Sequence, residues 1–230
     1  MVPTVKQNYV RSGGVSVALA SNSPTKKAIS TQPYSCKMTV MAFEDYQTKE
    51  SLVVVYTGEG KGKTSAALGL LARALGRGWR VAFFQYIKTW ETGESLFIEK
   101  LLESGAFPHL SYYKGGKGFY NAGELSAKNV SDTEHKKAAR LTYRKTLDAA
   151  KSGAYELVIC DEFNNALHDG LLDTADLKKL LKQRHPKTSL CLTGRDFPDM
   201  LLQEVDIATN MAKLKHHFDD KFLANKGIDY

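Results

Sequence analysis

From Leu52 onward the chain alternates between two periodicities. Short apolar runs have the length and the β-branched and aromatic content of strands: LVVVY at 52–56, WRVAFFQYI at 79–87, HLSYY at 109–113, YELVIC at 155–160, TSLCLTG at 188–194 and VDIAT at 205–209. Between them, apolar residues recur at helical spacing in 64–76, where Gly76 and Gly78 supply a stop, and helices are also predicted over 93–104, from about Thr133 to Ser152, over 174–184 and, briefly, near 198–203. Strands separated by helices of this length are βαβ units. The pattern therefore predicts a doubly wound α/β domain, with a mostly parallel sheet and helices on both faces.

Residues 1–48 show no such period. They carry Pro, Gly13-Gly14 and Ser/Thr clusters, and are predicted to be an unstructured arm ahead of an α/β domain over 49–230. Charge sharpens this division. The formal net charge is 32 − 25 = +7, and five of those charges (Lys6, Arg11, Lys26, Lys27, Lys37) precede the first acid, Glu44. The remainder of the chain is close to neutral, which argues against a nucleic-acid partner despite the basic total. A basic, hydroxyl-rich, acid-free segment resembles an organellar transit peptide; a start at Met38 or Met41, or a flexible arm, are the alternatives. No apolar run approaches the ~18 residues of a membrane helix. Cys36, Cys160 and Cys191 lack CxxC spacing and read as small buried hydrophobes in a reducing compartment, so a cytoplasmic location is expected. The histidines show no metal-site spacing.

The strongest chemical signal is TGEGKGKTS, Thr57 to Ser65, between a strand and a helix. Thr57, Gly58, Glu59, Gly60, Lys61 and Gly62 form the loop. Its glycines let backbone N–H groups turn toward an anion, the helix adds its positive end, Lys63 a point charge, and Thr64 a hydroxyl for Mg²⁺. This is a P-loop triphosphate site with one departure: GxxxxGK[ST] would place its first glycine at Thr57, so the loop is one residue tighter. YELVICDE puts Asp161 and Glu162 at the end of another strand, where one of them is expected to hold Mg²⁺ directly or through water. TGR at 193–195 brings Arg195 to the carboxyl edge where parallel sheets bind ligands; a surface ion pair is the plainer alternative. No acceptor-activating or water-positioning motif of kinases or hydrolases accompanies these residues. Tyr86, Trp90, Tyr112 and Tyr113 are read as core aromatics or pocket walls, and His216 and His217 as a helix cap or phosphate contacts.

Taken together, YTGEGKGKTSAALG, Arg73, QYIKTWETGE, GKGFYN, YELVICDEFNNAL, LTGRD and the ending KHHFDDKFLANKGIDY resemble the P-loop corrinoid adenosyltransferases over about Leu52 to Tyr230. The resemblance implies a P-loop NTPase-like fold and a transferase with ATP and a reduced corrinoid as substrates and Mg²⁺ as cofactor. Co(I) would attack the 5′ carbon of ATP and expel triphosphate. It further implies that Lys63 and Glu162 are catalytic, that Thr57 to Ser65, Arg73 and Arg195 bind nucleotide, and that Thr64, Glu162 and Asp161 serve the metal. Phe119, Tyr120 and Asn121 would meet the corrin, with Asn121 standing where the family has tryptophan. A homodimer and a flavoprotein reductase partner belong to the same expectation. Two other readings share the loop and the strand-end acids: an ATPase acting on nucleic acid, and a nucleotide-dependent regulator.

Overall fold

The computed structural model describes residues 46–118, 120 and 130–230; the readings made for residues 1–45, Phe119 and Asn121 lie outside them. Six parallel strands form one sheet: β1 (Val53–Thr57), β2 (Val81–Gln85), β3 (Leu110–Lys114), β4 (Leu157–Asp161), β5 (Ser189–Thr193) and β6 (Ile207–Asn210), in the order β3-β2-β4-β5-β1-β6. The chain leaves β1, skips two strand positions to lay down β2 and β3, then returns to insert β4 and β5 before adding β6 on the far side of β1. The crevice where this winding reverses lies above the carboxyl ends of β1, β4 and β5, the place where open parallel sheets receive ligands.

β2, β4 and β5 are buried at every position, as parallel strands covered on both faces must be. Their side chains still alternate. Val53, Val55, Ala82, Phe84, Val158, Cys160, Leu190 and Leu192 pack into one apolar cluster, whereas Val81, Phe83, Leu157, Ile159 and Cys191 pack into a second. The first cluster is completed by α3 (Asp132–Ser152), α4 (Phe163–His168) and α5 (Thr174–Gln183), the second by α1 (Lys63–Gly76) and α2 (Gly93–Glu103). The doubly wound prediction is correct, and each strand limit differs from it by one or two residues. Two short elements were not anticipated: α4, and a 3-10 turn at His217–Asp220. The short helix read near 198–203 is a 3-10 turn over Asp199–Glu204. At one edge β6 exposes all four of its residues. Among the described residues no helix is long and apolar enough to cross a membrane.

Capping separates helices that build the fold from helices that face the crevice. α2, α3 and α5 each begin with a reciprocal capping box, Thr92 with Ser95, Ser131 with Glu134, and Asp173 with Asp176. α1 and α4 have no side-chain cap, and each starts from a left-handed residue, Gly62 (φ 105°) and Glu162 (φ 62°).

The Gly/Lys loop after β3 is shaped by close approach. Gly115 N–H and Gly118 N–H donate to Gln85 O and Ile87 O, both at 2.9 Å, and a Cβ on Gly116 would run into the Ile87 backbone, with Cα at 2.8 Å. The loop that leads to Tyr120 is thereby laid directly on the end of β2. Gly116→Ala is expected to cost about 1–3 kcal/mol by forcing these backbones apart, read as a melting-temperature drop of about 2–4 °C per kcal/mol. Gly69→Ala, whose added methyl meets nothing within 4 Å on α1, is expected to be neutral or stabilising.

Candidate active site

The tight loop has a structural cause. Thr57 remains in the β1 ladder opposite Asn210, and its hydroxyl accepts from Phe197 N–H at 3.2 Å, so the turn begins only at Gly58. Gly58 sits at φ +96°, and a side chain there or at Gly60 would strike the segment after β6: a Cβ on Gly60 would lie 2.6 Å from Met211 O and 2.8 Å from Ala212 O. Gly60 N–H donates to Met211 O at 2.6 Å, which commits it to the protein rather than to an anion. Lys63 Nζ donates to the carbonyls of Gly58 at 2.5 Å and Gly60 at 2.6 Å. Burial, followed by the positive charge of Arg195, holds the Lys63 ammonium below its usual pKa range.

Behind the loop lies Asp161, the last residue of β4 and fully buried. Its Oδ1 accepts from Thr64 Oγ1 at 2.9 Å and Thr193 Oγ1 at 2.7 Å, and its Oδ2 faces Gln85 Nε2 and Lys88 Nζ, both at 3.4 Å. Gln85 is oriented in turn by Tyr112, whose hydroxyl donates to Gln85 Oε1 at 2.7 Å. Thr193 also accepts from Glu162 N–H at 2.9 Å, so it ties the end of β5 to both acids. The left-handed backbone of Glu162 is a strained conformation for a residue with a side chain. Its Oε2 is buried without a hydrogen-bond partner, and Lys88 Nζ lies 3.6 Å from Oε1. Burial pushes the Glu162 carboxyl up to about 7, against the pull of the Lys88 ammonium. For Lys88 itself burial opposes the charge, but Asp161, Glu162 and Glu94 together outweigh it and raise its pKa.

These groups open into a cavity of about 1140 Å³ lined by the loop from Glu59 to Ser65, Lys88, Glu94, Tyr120, Glu162, Arg195 and residues of the C-terminal segment. One small ligand typically needs ~300–1,000 Å³, so the space admits a nucleotide with part of a second substrate. Arg195 is exposed, lines this cavity and pairs with Glu59 at 3.3 Å, so the surface ion pair sits at the carboxyl edge of the sheet. Lys61 pairs with Asp229 of the C-terminal segment.

Arg73 is not brought to the site. It lies in the last turn of α1, ten residues beyond Lys63 and so ~15 Å along the axis, and its charge acts on Tyr56. Tyr86 is core, its hydroxyl bonded to Thr146 at 2.7 Å, while Tyr113 packs against the same apolar cluster under Lys145. His216, His217 and Asp229 gather within 4.8 Å, a set that could attract a metal. Their hydrogen bonds describe an anchor instead: His216 Nδ1 caps Phe218 N–H at 3.1 Å, and His217 Nε2 lies 3.1 Å from Leu223 O and 3.4 Å from Asp229. Lys88, Thr193 and Gln85 were missed as site residues. Lys88 stood within QYIKTWETGE with no neighbouring residue to give it a role, and only the pairing of β2 with β4 reveals it.

A strand, glycine loop and helix facing buried strand-end acids across a doubly wound sheet define a P-loop nucleotide-binding enzyme. Its family follows from sequence comparison: residues 49–230 match the family described as ATP:corrinoid adenosyltransferase BtuR/CobO/CobP, and the chain belongs to it. Among curated relatives, the corrinoid adenosyltransferase of a Sinorhizobium species is 30% identical, with 79% of this chain and 81% of that protein aligned. That of Pseudomonas aeruginosa is 31% identical over 79% and 85%, and that of Escherichia coli K12 28% identical over 80% and 88%. A looser likeness to the flagellar accessory protein FlaH of Methanocaldococcus jannaschii, at 13% identity and TM-score 0.42 over 70% of this chain and 71% of that one, adds nothing to this.

The raised Glu162 carboxyl has a signed consequence for stability. The folded protein keeps this proton up to about pH 7, whereas the unfolded chain releases it near the ordinary value of 4.5. Ionisation therefore costs stability progressively as pH rises through that window. In chelator-treated protein, Glu162→Gln is expected to gain up to about 3 kcal/mol over wild type at pH 8 and little near pH 4.5. Urea unfolding at both pH values checks this; an equal gap at both would show that burial does not hold the proton.

Proposed function

We infer that the protein transfers the 5′-deoxyadenosyl group of ATP to the Co(I) centre of a reduced corrinoid and releases triphosphate. The observation that carries this reading is the convergence of Lys63, Thr64 and Glu162 on one large cavity, with Asp161 bonded to Thr64 behind them, in a member of this family. The electron pair of Co(I) forms the cobalt–carbon bond, the C5′–O bond breaks, and its pair departs with the triphosphate while cobalt is oxidised by two electrons. No proton leaves the nucleophile. The chain's task is then to bind, orient and compensate charge.

Lys63, tied to two loop carbonyls, is the cation best placed to turn onto the departing group. Lys61 and Arg195 flank it, each held by an acid it can exchange for phosphate. Arg73 is left out of this constellation by its distance. The all-oxygen set of Thr64 and Glu162, with Asp161 behind, suits Mg²⁺: Glu162 Oε2 is unpartnered, and Thr64, which donates to Asp161, keeps lone pairs free for a metal. When bound, Mg²⁺ would neutralise triphosphate oxygens. Thr193 and Gln85 hold Asp161 in place.

On the corrin side, Tyr120 lines the cavity, its ring 5.0 Å from that of His135. We assign Phe119 and Asn121 a corrin-contacting role on the family motif alone. Co(I) requires an external electron donor, for which a flavoprotein reductase is the proposed partner. A homodimer would cover the open edge of β6, and the buried thiols of Cys160 and Cys191 fit a reducing cytoplasm.

Anaerobic incubation with ATP, Mg²⁺ and chemically reduced cobalamin is expected to yield triphosphate stoichiometric with adenosylated corrinoid. ADP with orthophosphate as the main products would overturn the reading in favour of an ordinary ATPase. Lys63→Ala is expected to lose at least ~100-fold in kcat/KM, because its charge contact strengthens as the triphosphate departs; retained turnover would make Lys63 a loop-bracing residue only.

A further inference from the structure

The cation nearest the two strand-end acids does not belong to the nucleotide loop. Lys88 follows β2, and its ammonium lies 2.7 Å from Glu94 Oε1, 3.4 Å from Asp161 Oδ2 and 3.6 Å from Glu162 Oε1, with only 14% of the side chain exposed. Glu94 is fixed in the first turn of α2 by the capping box beneath it. Lys88 thus enters the acidic cluster from the end of β2 rather than from the nucleotide loop.

The distances are unequal, and the inequality is informative. The short contact is to Glu94, which offers nothing to Thr64 or Thr193, while the two long contacts are to the acids assigned to the metal. Above about pH 7, where Glu162 is ionised, three carboxylates and one ammonium sum to −3 + 1 = −2, the complement of one divalent cation. A metal and an ammonium cannot share the same oxygens without strong repulsion in a partly dry site. Lys88 can nevertheless stay, provided that it gives up the long contacts and keeps the short one.

We propose that Lys88 is a resident counter-ion for the metal-holding acids, offsetting part of the charge of Asp161 and Glu162 in the metal-free protein and withdrawing onto Glu94 when a divalent cation arrives. It therefore sets the affinity for the cation by competing with it. Lys88 is a positioning residue here, and its role rests on the reading of Glu162 and Asp161 as the Mg²⁺ site.

Mn²⁺ serves as the probe, titrated into the full chain without nucleotide at pH 8, with free ion followed by electron paramagnetic resonance. Lys88→Met is expected to bind Mn²⁺ at least ~tenfold more tightly than wild type, and Lys88→Arg to return to wild-type affinity or below. Damage to the fold would weaken binding, so a gain cannot arise from it. Unchanged or weaker binding by Lys88→Met overturns the proposal. Glu162→Gln separates it from the reading beneath: if Glu162→Gln weakens Mn²⁺ binding and Lys88→Met does not strengthen it, only the counter-ion role fails. If Glu162→Gln binds as wild type, the metal assignment fails and the proposal with it. A second measurement needs no variant. Acylation of wild-type lysines, read by mass spectrometry, is expected to rise several-fold at Lys88 on saturation with Mn²⁺ and to stay constant at exposed Lys187. A constant rate at Lys88 overturns the proposal.

Discussion

Asp161 is a carboxylate with no access to solvent, and burying such a group is tolerable only because hydrogen bonds replace its water. Those bonds come from the first turn of α1 through Thr64, from the end of β5 through Thr193 and from β2 through Gln85. One side chain thereby sets the relative positions of the nucleotide loop, the acid strand and the Arg195 turn. β1 and β4 are not neighbours in the sheet, since β5 lies between them. The side-chain link across β5 keeps a loop on one strand in register with an acid on another, and Glu162 inherits its place from it.

Much of this was legible in the sequence, and the reasons differ by residue. Strands buried on both faces announce themselves as apolar runs, so the doubly wound fold could be read from 52–56, 155–160 and 188–194 alone. Lys63, Thr64, Asp161 and Glu162 were found because loop chemistry and strand ends impose residue types locally. Thr193 reaches Glu162 over 31 positions, Lys88 reaches Asp161 over 73 and Gln85 reaches Asp161 over 76, and no local pattern encodes such pairings. Arg73 does not line the cavity: an arginine in a motif-bearing helix is near in sequence, yet the helix rise carries its backbone away from the loop. Helix α4 escaped because six residues hold too little periodicity to register.

Charge in the cavity is arranged by pairing. Lys61 with Asp229, Arg195 with Glu59, and Lys88 with Glu94 each leave a cation beside an acid at the wall. The Arg195–Glu59 pair is exposed and worth little to stability, so a polyanion can claim its cation cheaply.

The glycines of the nucleotide loop are moulded against residues some 150 positions downstream: Gly58 and Gly60 have their shape only because Asn210, Met211 and Ala212 stand where they do. Contacts of such sequence separation are slow to form and cannot exist on a ribosome-bound chain until the last strand has emerged. The earliest motif to be synthesised is consequently among the last to be finished. A nascent or truncated chain would carry the complete nucleotide signature in its sequence and still lack a loop able to hold one.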